Sequence, residues 1–375
     1  MERYEHGASV TLDPADAPNR YQNSNVLAAF KHYEHGGNVY DSAGKAVDWL
    51  DFSANINPFG LSEKIFRALT ENLRGVVNYP DPNAAELKRA ISRRYDVSEK
   101  NLVVLNGAAE FFYLYLNATR PNRVVIPAPS FSEYERASRA AGCDVKFFIT
   151  DAAENFSLDA DKLEVNSSDC VIIGRPNNPT GNLISAEKIL RLAEVASVVV
   201  DESFIDFLDV ESVRKFVSEK ISVVQSLTKI FAIPGLRLGF AVVEENFARR
   251  LNLSKDVWNV NFLAQKAGAV ALADEDFLRQ TRAWLTTEQK FFVESLQKFR
   301  GLKIFSPTAN FALMKVATIE LAEKILHELR REKILLRSCA NFVGLDGSYL
   351  RSAIRSREEN IKLLDALKKI LEVEK

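Results

Sequence analysis

Short apolar runs alternating with helical periodicity across residues 102–243 predict an α/β fold with a mostly parallel central sheet. Two further observations complete the expectation. The residues with the most useful chemistry stand just after the apolar runs, where an open parallel sheet binds its ligands. After Asn261 the pattern changes to a long charged helical stretch, three short strands and a closing helix, which predicts a smaller α+β domain.

Composition narrows the partners. The 375 residues are 47% hydrophobic and 26% charged, ordinary for a globular chain, and 49 Lys plus Arg nearly cancel 50 Asp plus Glu. Such a balance offers no field for nucleic acid or an anionic membrane, so small molecules are the expected partners. No apolar run approaches bilayer length and residues 1–6 do not resemble a signal peptide, so a cytoplasmic protein is expected. Cys143, Cys170 and Cys339 are too scattered for a disulfide framework, and with His6, His32, His35 and His327 they form no metal motif.

In chain order, residues 1–34 are polar and lack periodicity, and Tyr4-Glu5-His6-Gly7 recurs as Tyr33-Glu34-His35-Gly36, a repeat short enough for coincidence. His35 to Asn38 reads as a turn. The run from Leu50 stops at Asn55-Ile56-Asn57-Pro58, before a helix over 62–73; a rigid turn at Tyr79-Pro80 precedes a second helix over 84–95. Strands follow at 102–105, 124–126, 145–149, 171–173, 198–200, 221–224 and 240–243, with helices at 132–141 and 186–195 between them. The last part supplies strands at 311–316, 334–337 and 349–354 and a helix at 319–331.

The chemistry collects at the strand ends. Lys229 follows Ser226 by three residues and precedes Arg237 by eight, behind the strand 221–224. Alone, a lysine there is a solvated surface group. Beside another cation in a partly dry pocket it loses its proton more easily and can form a Schiff base, while a hydroxyl and a guanidinium suit a phosphate. These needs together indicate pyridoxal phosphate. Gly107 and Ala108, expected to open a helix, would hold the phosphate with Ser226 and Arg237. Asp201, after three valines, would pair with a protonated ring nitrogen, since a buried carboxylate needs a cationic partner. Asn178 would donate to the phenolic oxygen and Phe131 would stack on the ring. A nucleotide is disfavoured, for the chain has neither a G-x-x-x-x-G-K-[ST] loop nor a G-x-G-x-x-G after a strand.

Asn178-Pro-Thr-Gly181, Asp201-Glu-Ser-Phe204 and Ser226-Leu-Thr-Lys229 with Gly235-Leu-Arg-Leu-Gly239 resemble the fold-type-I aminotransferase superfamily. Within it the chain is similar to the threonine-phosphate decarboxylases of cobalamin biosynthesis and to the histidinol-phosphate aminotransferases. His35-Gly-Gly-Asn38, Leu50 to Pro58, Phe204-Ile-Asp-Phe207, Phe231 to Arg237, Arg337-Ser-Cys-Ala-Asn341 and Ala353 to Ser356 favour the decarboxylases. The resemblance implies that Lys229 carries the cofactor, that the protein is a homodimer, and that Tyr79 reaches the neighbouring subunit's cofactor phosphate. It also implies that Arg351 takes the substrate carboxylate, that Arg337 with His35 and Gly36 takes the substrate phosphate, and that Asn55 contacts the amino-acid portion. The expected activity is decarboxylation of L-threonine O-3-phosphate or L-serine O-phosphate, with transamination as the alternative on nearly the same scaffold. A cofactor-sensing transcription regulator is a third reading, disfavoured because residues 1–34 are too short and acidic for a DNA-binding module. The expected division is an extension over 1–34, which would cover the mouth of the site, a small domain from 35–71 and 265–375, and a large domain over 72–264.

Overall fold

Valine, isoleucine and leucine make up half or more of residues 102–105, 169–174, 197–201 and 221–226, and these four runs are strands of one sheet buried on both faces. The computed structural model describes residues 35–372. From Gly36 onward the chain forms one body. Its strands are β1 (Leu50–Asp51), β2 (Leu102–Leu105), β3 (Arg123–Ala128), β4 (Asp144–Ile149), β5 (Asp169–Gly174), β6 (Ser197–Asp201), β7 (Ile221–Ser226), β8 (Gly239–Val242), β9 (Lys303–Ile304), β10 (Phe311–Lys315), β11 (Ile334–Leu335), β12 (Arg337–Ser338) and β13 (Tyr349–Ala353). Its α-helices are α1 (Glu63–Asn72), α2 (Ala85–Tyr95), α3 (Glu110–Thr119), α4 (Glu133–Ala140), α5 (Ala186–Val195), α6 (Glu245–Ser254), α7 (Phe262–Leu272), α8 (Glu275–Leu296), α9 (Ile319–Arg331) and α10 (Arg357–Glu372).

The central sheet runs β2-β8-β7-β6-β5-β3-β4. All its pairings are parallel except those of β8, which is antiparallel to β2 and β7. Strand alternation divides its side chains between two cores. Val199 and Val224 join Phe112, Tyr134 and Leu251 on one face, while Val198, Val200 and Val223 join Ile189 and Leu192 of α5 on the other. Each fully buried valine or leucine contributes about 1.5–3 kcal/mol. Because β8 reverses direction, its first residue Gly239 pairs with both Ser226 and Leu105, so residues 237–239 stand at the same sheet edge as the carboxyl ends of β2 and β7. A second sheet, β12-β13-β10-β9, is wholly antiparallel, and β1 pairs with β11 in parallel.

Three expectations need correction. The apolar run at 334–337 divides between two sheets, β11 beside β1 and β12 beside β13. The charged stretch after Asn261 is two helices, because Asp274 is buried, ion-paired with Lys64 at 2.7 Å, and turns the chain between α7 and α8. Helix α6 was not expected: it buries only Ala248 and Leu251, too little for a visible stripe, and is started by the Glu244 carboxylate accepting from Asn246 N and Phe247 N. The expected extension over 1–34 lies outside the described residues. Among the described residues no helix is long and apolar enough to cross a membrane, and no His/Cys/Asp/Glu group suits a metal ion.

Candidate active site

Lys229 stands on the turn that follows β7, its carbonyl accepting from Asn57 N at 3.0 Å. That bond brings the Asn55 to Asn57 loop against the lysine. The lysine's Nζ lies 5.3 Å from the centre of the Phe204 ring. Burial lowers the amine to about 8; the Asp201 carboxylate opposes the change, and the Arg237 and Arg351 guanidiniums reinforce it. A lysine in this state releases its proton near neutral pH, which a solvated lysine does not.

Asp201 ends β6 and is 7% exposed. Its Oδ2 accepts from the Tyr134 hydroxyl at 2.8 Å and its Oδ1 from Ser203 N at 2.9 Å. The two donors leave lone pairs on the carboxylate for a further partner such as a cation. Tyr134 was not singled out from the sequence, because a tyrosine on an amphipathic helix reads as core. Burial and the Asp201 charge hold its phenol well above the usual range, and it remains a donor. Phe131 packs edge-on against Tyr134, 5.7 Å between centres.

Gly107 and Ala108 lie in the turn between β2 and α3 rather than in the helix, which begins at Glu110. Gly107 has φ +84°, which favours glycine, and the Arg237 guanidinium lies against it, Nη2 2.5 Å from where a Cβ would stand. A Cβ on Gly239 would stand 2.6 Å from Ala108 N. The turn and the exposed Arg237 therefore meet as closely as two groups can. Ser226 is buried beside them in sequence register, its hydroxyl hydrogen-bonded to that of Thr228 at 2.7 Å.

The antiparallel sheet supplies two arginines. Arg337 of β12 and Arg351 of β13 are directly paired across the ladder and are 6% and 5% exposed. Arg337 donates to Asn341 Oδ1 at 2.7 Å, and Arg351 donates to Asn178 Oδ1 and to the carbonyl of Ser53. Burial lowers Arg351 to about 10, with Arg337 adding to the effect and Cys339 and Asp51 opposing it. Its Nε is buried with no hydrogen-bond partner, and so is Oδ1 of Asn55. Gly36 passes so close to Ser53 that a Cβ would fall 1.9 Å from the Ser53 carbonyl, and Gly37 N donates to Ser53 Oγ at 2.8 Å. Ser53 thus links Gly36 to Arg351, a role not read from the sequence.

One expected residue stands at the surface. Tyr79 is 77% exposed and stacks on Trp258 at 4.2 Å between ring centres, without a contact to Lys229 or Asp201 among those found. His35 is the first described residue and belongs to the unit that precedes Gly36.

The residues fit pyridoxal phosphate by their chemistry. A buried amine of lowered basicity, a buried carboxylate with spare lone pairs, and a glycine turn pressed against a guanidinium match its carbonyl, ring nitrogen and phosphate. Comparison with known proteins gives a consistent picture. The model of the aminotransferase class I and II family matches residues 47–367. The chain is 36% identical to the threonine-phosphate decarboxylase of Salmonella typhimurium over 356 residues, 90% of this chain and 96% of that one. Among solved structures, the histidinol-phosphate aminotransferase of Clostridium acetobutylicum superposes with a TM-score of 0.79 at 31% identity, over 86% of this chain and 99% of its own. The L-threonine-O-3-phosphate decarboxylase of Porphyromonas gingivalis superposes with a TM-score of 0.78 at 28% identity over the same shares.

Proposed function

We propose, from the premise that this chain belongs to the class I and II aminotransferase family, that it is a pyridoxal-phosphate-dependent decarboxylase of L-threonine O-3-phosphate. The observation that carries the residue assignments is a pair of buried groups with nothing to bind: Arg351 Nε, a donor, and Asn55 Oδ1, an acceptor. Buried polar atoms of this kind cost stability unless a ligand satisfies them. An α-amino acid supplies both partners, its carboxylate for the arginine and its amine for the asparagine.

In this reading Lys229 holds the cofactor, Asp201 faces its ring nitrogen, Phe131 stacks on the ring, and Asn178 donates to the phenolic oxygen. Gly107, Ala108, Ser226 and Arg237 hold the phosphate. When bound, pyridoxal phosphate supplies a carbonyl for the substrate amine and a protonated ring able to accept the electrons that the carboxylate leaves behind. The protein does the rest. Arg337, with Gly36, takes the substrate phosphate, for which its planar fork is suited. Arg351 orients the carboxylate, and its exposure of 5% makes that contact strong. The Cα to carboxyl carbon bond breaks, carbon dioxide leaves, and Lys229 Nζ delivers the one proton that replaces it on Cα. The product is an amino-alcohol phosphate suited to the linker of a cobamide. Bond orientation selects this outcome over transamination, which needs the Cα–H bond aligned instead.

The same reading makes the protein a cytoplasmic homodimer. Val76, Val77, Tyr79 and Trp258 are exposed, and they border a groove of about 360 Å3, a patch of the kind that marks a subunit interface. Tyr79 on this patch would then serve the partner's phosphate site. The large domain of this reading spans 72–264, and 35–71 with 265–375 forms the small one. The purified holoenzyme should release carbon dioxide from phosphothreonine, with phosphoserine as the second substrate to compare. Glutamate formed from histidinol phosphate and 2-oxoglutarate, with no carbon dioxide from either phosphoamino acid, would replace this function by transamination.

A further inference from the structure

Two sheets must be held in register for this site to work, because Lys229 and Asp201 come from the central sheet and Arg337 and Arg351 from the antiparallel one. Only a few contacts between them are polar. Arg351 donates to Asn178, and Thr308 Oγ1 donates to the carbonyl of Gly181. On the apolar side the sheets share a core in which Phe204 meets Phe311 at 5.0 Å between ring centres, and a separate small core is reached by one side chain from the loop after β4. After β4 the chain turns at Asp151, and Phe156 N returns to the Asp151 carbonyl at 2.8 Å. Asn155 and Phe156 both take the left-handed conformation, φ +49° and +57°, which side chains other than glycine rarely adopt. Phe156 is nonetheless buried, in a small core whose other members, Phe305, Leu313, Cys339, Phe342 and Tyr349, all belong to the antiparallel sheet and its loops.

The position of that core is informative. Leu313 is paired with Arg351, and Tyr349 precedes Arg351 by two residues, so all three side chains share one face of the sheet. Arg337, opposite Arg351, shares it too, and its guanidinium lies 5.5 Å from the centre of the Phe342 ring. Phe156 meets Phe305 at 5.0 Å and Tyr349 at 6.1 Å between centres. The opposite side of the Phe156 loop borders a cavity of about 470 Å3, so packing alone does not hold it in place. Asn182 does: its Nδ2 donates to the carbonyls of Asn155 and Phe156 at 2.7 and 2.6 Å. Asn182 directly follows the Asn178 to Gly181 turn of the site.

We propose that Phe156, clamped in its left-handed conformation by Asn182, is a positioning residue that holds the face bearing Arg337 and Arg351 at its working distance from Lys229. This inference rests on the reading of those arginines given above. It touches neither substrate nor cofactor. Misplacement of substrate-binding groups by about 1 Å lowers kcat/KM by up to about 100-fold. Phe156→Ala should therefore raise KM for phosphothreonine roughly 10- to 100-fold with a smaller change in kcat. Cofactor absorption should be unchanged, Phe156→Leu should recover most of the loss, and Asn182→Ala should repeat the pattern without emptying the core.

Hydrogen exchange of the holoenzyme gives a readout that does not depend on the assigned chemistry. Phe156→Ala should speed exchange of amides in 337–342 and 349–353 while leaving 197–226 as in the wild type. In the Arg337→Ala background, the Phe156→Ala effect on KM should shrink, since the group it positions is gone. Unchanged exchange in 337–353, or equal KM effects in both backgrounds, overturns the positioning role. An Arg337→Ala enzyme with unaltered preference for phosphorylated substrate would instead overturn the arginine assignment. Exchange that rises evenly across both sheets would also reject the proposal, as it reports general destabilisation.

Discussion

Replacing Arg351 by alanine should separate binding from stability. Burial lowers its guanidinium from its ordinary value to about 10. At about 1.4 kcal/mol per pH unit, keeping this charge in place without an anion costs about 3 kcal/mol, to order of magnitude. Removing it relieves that cost but loses two hydrogen bonds, to Asn178 and Ser53, worth about 1.5–3 kcal/mol each when the donor is charged. The two bonds total about 3–6 kcal/mol, so the substrate-free protein should lose a net of about 0–3 kcal/mol, a fall in melting temperature of less than about 10 °C. Substrate binding has no such compensation: losing one member of a buried charge pair costs about 2–5 kcal/mol, or about 30- to several-thousand-fold in kcat/KM. Arg351→Lys should recover only a minor part, because an ammonium lacks the planar fork. The assay is kcat/KM for phosphothreonine beside a thermal melt of the substrate-free enzyme. A loss of activity matched by a drop in melting temperature of more than about 10 °C would show that Arg351 is a structural residue and refute this reasoning.

Lys229→Ala should abolish both the visible absorption of bound cofactor and turnover, and normal turnover in that variant would remove Lys229 from the reaction. With its amine lowered to about 8, Lys229 is charged below that pH and neutral above it. The rate at which pyridoxal phosphate combines with cofactor-free protein should therefore rise with pH to a plateau with a midpoint near 8, whereas a midpoint near that of free lysine would mean the amine is solvated. Asp201→Asn should retain cofactor yet lose at least about 100-fold in kcat, since an amide cannot stabilise a ring cation as a carboxylate does; wild-type turnover would place another residue at the nitrogen. Arg337→Ala should cost about 2–5 kcal/mol in kcat/KM and narrow the gap between phosphorylated and unphosphorylated substrates, and an unchanged ratio would take Arg337 out of the phosphate site.

The central sheet was legible because its inner strands are buried on both faces, which leaves uninterrupted runs such as Val198 to Val200 in the sequence. Most of the site was legible for a related reason: Asp201, Ser226 and Lys229 follow those runs directly. Three kinds of feature were not. Tyr134 binds Asp201 from 67 residues away, and nothing local distinguishes its hydroxyl from that of a core tyrosine. Ser53 acts through its backbone carbonyl, which carries no sequence signal. Phe156 occupies a left-handed conformation that would normally announce itself by a glycine, so its loop reads as a featureless connection. The split of 334–337 between two sheets is likewise invisible, because no glycine, proline or turn cluster marks the break at Leu336.

The most direct measurement of the decarboxylase assignment follows the fate of Cα. Phosphothreonine turned over by the holoenzyme in deuterium oxide should yield one carbon dioxide for each amino-alcohol phosphate, with one deuterium on the carbon that lost its carboxylate, and 2-oxoglutarate should have no effect. A product that keeps its carboxylate, formed only when 2-oxoglutarate is present and accompanied by glutamate, would contradict the assignment and make the enzyme an aminotransferase.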